Sequence, residues 1–190
     1  MSLSSFEPEL AGLDRSREER LAELARDVSG AAFLRGDFVL SSGTRSHYYF
    51  DKYLFETKPG ILRRLAAFLA ELIPPQTDRI AGPELGAVAL AAALSLETGL
   101  PFVIVKKEAK GYGTGRLVEG ELFRGEKVTV VEDVVSTAAQ AIRAAGQVSR
   151  AGAQVLAILA VIDCEQGGAE NIAAAGYQYR PLFNKGDLGL

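Results

Sequence analysis

Between residues 79 and 182 the chain alternates short apolar runs with stretches of helical periodicity, and this alternation constrains the fold more than any other feature. Runs at 79–81, 102–105, 128–131, 155–162 and 177–182 have the length of strands. Between them, apolar residues recur at helical spacing over 86–97, from the 128–131 run to about Ala151, and over 169–175. A strand–helix–strand order of this kind requires parallel strands joined by crossover helices. The predicted class is therefore α/β, an open, mostly parallel twisted sheet flanked by helices. Ahead of it, Asp14 is expected to cap a helix running to about Val28, with Leu21, Leu24 and Val28 on one face. FVLSSGTRSHYYFD (38–51) is expected to form two short strands around Ser-Gly-Thr. A helix should follow Pro59, with Ile61, Leu62, Leu65, Phe68, Leu69 and Leu72 as its apolar stripe and Pro74-Pro75 as its stop.

One domain accounts for the 190 residues, since 48% hydrophobic and 24% charged composition fills a core, and no repeat or linker interrupts it. A net charge of -3 argues against a general nucleic-acid binder. Cys164 is the one cysteine and His47 the one histidine, which excludes an intramolecular disulfide, cysteine zinc clusters and multi-histidine metal sites. A single thiol suits a reducing cytoplasm. The N-terminus lacks the basic-then-apolar pattern of a signal peptide, and no segment has the apolar length of a membrane span, so a soluble intracellular protein is expected.

Two places interrupt the rhythm. The run 128–131 is followed by two acids, Glu132 and Asp133, then by VVSTAAQ and a helix pattern. In this reading the acids mark the point where the chain leaves the core, which in an open α/β sheet is where ligands bind. They could equally be ordinary surface carboxylates at a strand end. Ser136 and Thr137 add hydroxyls, and amides entering a helix can hold a phosphate monoester. The other place is KKEAKGYGTGRLVEGELFRGE (106–126), which carries Lys106, Lys107, Lys110 and Arg116 among five glycines. Connections of this length are lids, binding loops or disordered segments, and ammonium groups on a glycine-rich arm suit a mobile clamp on phosphates. A solvated hairpin without function is the plain alternative. GYGTG matches a dinucleotide fingerprint only weakly, because no helix pattern follows it. Together the two places describe a site for a phosphorylated ribose with a basic lid for a second phosphate group.

VTVVEDVVSTAAQ resembles the phosphoribosyl pyrophosphate (PRPP) signature of type I phosphoribosyltransferases. GDFVLSSGTRSHYYFD, AGPELGAVALAAALSLETGLPFVIVKKEAKGYGTGRLVEG and AVIDCEQGG resemble the orotate phosphoribosyltransferases in order and spacing, over roughly residue 31 to the end. The resemblance implies a small hood formed by N- and C-terminal segments. Residues 1–55 would supply the first helix and hood strands, 56–165 the core with a mobile loop at 106–126, and 166–190 a C-terminal core and hood segment. It implies that Glu132 and Asp133 hold the ribose hydroxyls of PRPP, directly or through waters on Mg²⁺. Ser136, Thr137, Ala138, Ala139 and Gln140 would cradle its 5'-phosphate, with Val134 and Val135 also among the PRPP-binding residues. Lys106, Lys107, Lys110 and Tyr112 would meet the pyrophosphate, with Lys107 and Lys110 acting partly across a homodimer interface. Tyr49, Phe50, Ser136 and Cys164 would face the base. Lys107, Lys110 and Asp133 would be the catalytic residues, and Mg²⁺ the cofactor. The implied reaction displaces pyrophosphate from the ribose with a ring nitrogen of orotate, giving orotidine 5'-monophosphate. Five positions depart from the family pattern. Tyr112 stands where a loop histidine is usual, and Ala138 where the phosphate loop has glycine. Ser41 and Leu85 occupy positions that are lysine in some members. Cys164 stands where an arginine of a DRE-like motif contacts orotate. Transfer to another base, a non-catalytic PRPP-binding regulatory protein and an unrelated nucleotide-binding α/β protein remain as alternatives.

Overall fold

The computed structural model describes residues 15–39, 43, 45–108 and 116–189. Asp14, Ser41, Lys110 and Tyr112 lie outside these residues.

A six-stranded sheet organises the chain in the order β5-β4-β3-β6-β7-β8. Its strands are β3 (Arg79–Pro83), β4 (Phe102–Val105), β5 (Val118–Glu119), β6 (Lys127–Val135), β7 (Gln154–Asp163) and β8 (Gln178–Asn184). All neighbours are parallel except β4 and β5. Crossovers are made by α4 (Gly86–Thr98), α5 (Ala139–Arg150) and α6 (Gly168–Ala174). The alternation of side chains along each strand feeds two cores, one on each face. Ile80, Val131, Leu159 and Val161 join Leu24, Leu65, Leu69, Leu90 and Leu94 on one face. Their immediate neighbours Ala81, Val130, Ile158 and Ala160 join Ala141, Ala144, Ala145 and Val148 of α5 on the other. Strands buried on both faces must be continuously apolar, which is why the runs were legible.

Three expectations are corrected. The strand does not end at Val131. β6 continues through Val135, whose partner in β7 is Asp163, so the ladder carries both acids inside the sheet. The first helix, α1 (Arg17–Ala32), is capped by Ser16, whose side chain accepts from the Glu19 amide while Glu19 answers the Ser16 amide. This capping box satisfies two end amides at once and outcompetes a start at Asp14. α1 also runs past Val28, because Ala32 is buried in the core and holds the last turn. The hairpin is present as β1 (Phe33–Val39) and β2 (Arg45–Phe50), antiparallel, with Phe33 opposite Phe50. A short helix, α2 (Tyr53–Glu56), then leads into α3 (Pro59–Ala70). After β8 a 3₁₀ turn (Gly186–Leu188) packs on α1, where the Ser29 hydroxyl donates to the Leu188 carbonyl at 3.0 Å. No helix among the described residues is long and apolar enough to cross a membrane.

Candidate active site

The C-terminal end of β6 opens on a cleft of about 310 Å³. Its walls are Lys52, Glu132, Val134, Val135, Ser136, Thr137, Ala138, Ala139, Gln140, Ala141 and Arg143. The loop after β6 forms its floor, and α5 starts from that floor. Ala138, the N-cap residue, has φ 64° and ψ 7°, in the left-handed region that favours glycine. The turn therefore keeps its backbone path despite the methyl group, at a conformational cost of about 1–2 kcal/mol. The residues that enter α5 line the cleft, and Ser136 and Thr137 among them are exposed.

Beneath the cleft lies a carboxylate cluster. Glu56, Glu132 and Asp133 retain 3%, 3% and 1% exposure, so three acids share one buried volume. Among the described residues a single cation answers them, with Lys52 Nζ at 2.6 Å from Asp133 Oδ2. That contact is a charge pair rather than an aligned hydrogen bond, since Asp133 Oδ2, Glu132 Oε2 and Glu56 Oε1 all lack hydrogen-bond partners. Asp133 Oδ1 accepts from the Val134 amide at 2.6 Å. The Gln140 side-chain amide reaches Glu132 Oε1 at 3.4 Å. The cluster closes on Gly86 at the start of α4. A Cβ there would fall inside contact distance of Asp133 Oδ2 and 2.9 Å from Glu56 Oε1.

Burial and then the neighbouring Asp133 push the Glu56 carboxyl up to about 8. The same two causes, in the same order, raise Glu132 well above the ordinary carboxylate value. Burial opposes the Lys52 ammonium, but Asp133, Glu132 and Glu56 together outweigh it and hold its pKa above the usual lysine value. A testable consequence concerns stability. An acid that moves from 4.5 unfolded to about 8 folded takes up a proton on folding. Its contribution is complete below pH 4.5 and is lost as pH rises toward 8, at up to roughly 1.4 kcal/mol per pH unit. With chelator present, the urea midpoint should fall between pH 5 and 8, and Glu56→Gln should flatten that fall. A midpoint independent of pH in both proteins would refute the assignment.

The sequence-predicted residues separate into groups. Glu132, Val134, Val135, Ser136, Thr137, Ala138, Ala139 and Gln140 come together on the cleft wall, while Asp133 sits below it. Lys106 is turned to Glu119 of β5, its Nζ 2.6 Å from the carboxylate. Lys107 is exposed, and its amide donates to Glu84 Oε1 at 2.6 Å. Both lysines border a narrow crevice that also includes Gln140 and Arg143. Phe50 packs into the core against Phe55, ring centroids 6.1 Å apart, whereas Tyr49 is exposed beside Phe38. Cys164 is half-buried and its amide donates to the Val135 carbonyl at 2.8 Å, which ties the end of β7 to the cleft. Burial and then Asp163 raise its thiol pKa, and Lys185 acts against them. Sequence reasoning missed Lys52, Glu56, Gly86 and Arg143. Lys52 and Glu56 stand four residues apart in DKYLFE, a spacing that brings side chains together on a helix, but their common partner Asp133 is distant in sequence.

Comparison with known proteins places these features. Residues 56–175 match the family model of the phosphoribosyl transferase domain. The orotate phosphoribosyltransferase of Methanocella arvoryzae is 44% identical over 171 residues, covering 90% of this chain and 97% of that protein. That of Pyrococcus abyssi is 42% identical, covering 90% and 94%. Among solved structures, Mycobacterium tuberculosis H37Rv orotate phosphoribosyltransferase in complex with PRPP superposes with a TM-score of 0.78 at 31% identity, covering 90% of this chain and 99% of that one.

Proposed function

We propose a function from the premise that this chain belongs to the phosphoribosyl transferase domain family and to its orotate phosphoribosyltransferases: it transfers ribose 5-phosphate from PRPP to orotate, forming orotidine 5'-monophosphate and pyrophosphate. The observation that carries this reading is the buried acid pair of β6 running directly into a loop that lines a cleft of about 310 Å³ at the start of α5. The loop amides and the hydroxyls of Ser136 and Thr137 hold the 5'-phosphate. Glu132 and Asp133 take the ribose hydroxyls. The partnerless oxygens of Glu56, Glu132 and Asp133 fit a cation-bearing ligand, because one ammonium leaves three buried carboxylates under-compensated. Among the described residues no group of three or more acid, histidine or cysteine side chains stands ready to hold a metal by itself. Glu132 and Asp133 are the residues that would hold Mg²⁺ bound together with PRPP, and the ion would supply charge neutralisation for the pyrophosphate.

Lys107 and Lys110 stabilise the negative charge that grows on the departing pyrophosphate, while the ribose carbon becomes positive. Little proton transfer is needed, in keeping with a site without histidine. Tyr49, exposed on β2, flanks the pyrimidine, whereas Phe50 packs into the core and anchors that strand. Lys106 reaches pyrophosphate only by leaving Glu119. The enzyme is proposed to be a cytoplasmic homodimer in which the lysine arm serves the partner's site.

Cys164 provides the sharpest test, because a thiol offers the orotate carboxylate no positive charge. The measurement is pyrophosphate release from Mg-PRPP with individual bases, in wild type and Cys164→Arg. Efficient orotate turnover with uracil and purines inert is expected, and arginine should then change orotate kcat/KM by less than ten-fold. A wild-type preference for an uncharged base, shifted ten-fold or more toward orotate by the arginine, would show a changed pocket. No turnover of any base would overturn the catalytic reading.

A further inference from the structure

Charge around the cleft leaves one cation unassigned. A phosphate monoester carries close to two negative charges at neutral pH, yet the loop from Ser136 to Gln140 offers only amides, hydroxyls and a carboxamide. Two cations line the cleft, Lys52 and Arg143. Lys52 is committed to the buried carboxylates at 2.6 Å from Asp133. Arg143 is exposed on α5, and no described residue pairs with it. It stands four residues after Ala139, the first residue of the helix. Helical side chains lean toward the N-terminus, so a guanidinium starting there reaches back over the turn that opens the cleft. Buried Glu132 Oε2, without a hydrogen-bond partner on the same wall, marks the cleft independently as a ligand site.

Arg143 also borders the crevice shared with Lys106 and Lys107, which raises the question of which anion it would meet. Size decides. The crevice holds about 10 Å³, no more than a single water requires, whereas the cleft over the loop holds about 310 Å³.

We propose that Arg143 clamps the 5'-phosphate from the α5 side while the loop amides hold it from below. This rests on the phosphate-loop reading above and adds a side chain to it. The guanidinium supplies the charge that the loop lacks, in a planar fork matched to two phosphate oxygens.

The test uses binding rather than turnover. Ribose 5-phosphate, inorganic pyrophosphate and Mg-PRPP are titrated calorimetrically into wild type, Arg143→Met and Arg143→Lys at fixed salt. Arg143→Met should weaken ribose 5-phosphate and PRPP on the order of ten-fold or more, the worth of one charged hydrogen bond, and leave pyrophosphate within about two-fold. Arg143→Lys should recover part of the loss, because it restores charge without the fork. Equal ribose 5-phosphate affinity in wild type and Arg143→Met overturns the clamp. So does an equal loss for pyrophosphate, which would mean a diffuse field. Failure of ribose 5-phosphate to bind wild type at all would instead sink the phosphate-loop reading and the clamp with it. Unchanged melting temperatures exclude misfolding as the cause, and since Arg143 is exposed no large change is expected.

Discussion

Gly86→Ala protein is expected to fold, to melt within a few degrees of wild type, and to turn over PRPP about a hundred-fold more slowly. Gly86 opens α4, where alanine is by itself the better helix former. Its backbone is outside the left-handed region, so the methyl group meets no conformational penalty. What it meets is the carboxylate cluster, with Asp133 Oδ2 inside contact distance and the Glu56 oxygens at 2.9 and 3.1 Å. These are side-chain ends, which can rotate without moving the sheet. Asp133 must turn away from Lys52, and the group proposed to hold the ribose is displaced by about the distance that costs two decades in rate. Melting temperature and kcat/KM for PRPP, measured on the same preparation, check this. Full activity would show that Asp133 does not act through the position it holds here. Collapse of the fold together with activity would show that the cluster is structural first.

Asp133→Asn is expected to reduce Mg-PRPP affinity by two decades or more while leaving heat stability equal or higher. A ribose hydroxyl loses a charged acceptor, and the ligand's cation loses a counter-charge. Truncating a buried pair ordinarily costs 3–5 kcal/mol because it strands the other charge. Here nothing is stranded, since Glu132 and Glu56 remain near Lys52. The change also relieves the repulsion that, after burial itself, contributes most to the raised pKa values of Glu56 and Glu132. Calorimetry of PRPP binding and of unfolding measures both halves. Equal PRPP affinity would remove Asp133 from the site, and a large fall in stability would make it structural. If the lysine arm serves the neighbouring subunit, mixing this protein with Lys110→Ala protein should restore part of the activity through hybrid dimers. Absence of recovery despite subunit exchange would speak against sharing.

Glu56 and Arg143 show why the site was only partly legible. Glu56 looks like any helix glutamate in KYLFET, and Arg143 like any charge on the wet face of an amphipathic helix. Neither residue type nor local spacing distinguishes them, because what makes them exceptional is which other segments they meet. The strand end was misread for a related reason. Two adjacent acids are strong local signals for leaving a core, and only pairing with β7 up to Asp163 keeps them in one.

The sequence by itself determined the architecture: continuous apolar runs of strand length, alternating with helical stripes, can bury their surfaces only as a parallel sheet covered on both faces. It also located the acid pair and the loop into α5, because that pattern is contiguous and local. The tertiary structure decided the rest. Lys52 just before α2, Glu56 at its end, Gly86 of α4 and Asp133 of β6 converge on one buried volume through contacts between segments far apart in the chain. Buried charge acts over a few ångströms of space and not over positions in sequence, so the ionisation of these acids and the cation that answers them exist only once the sheet has closed over them.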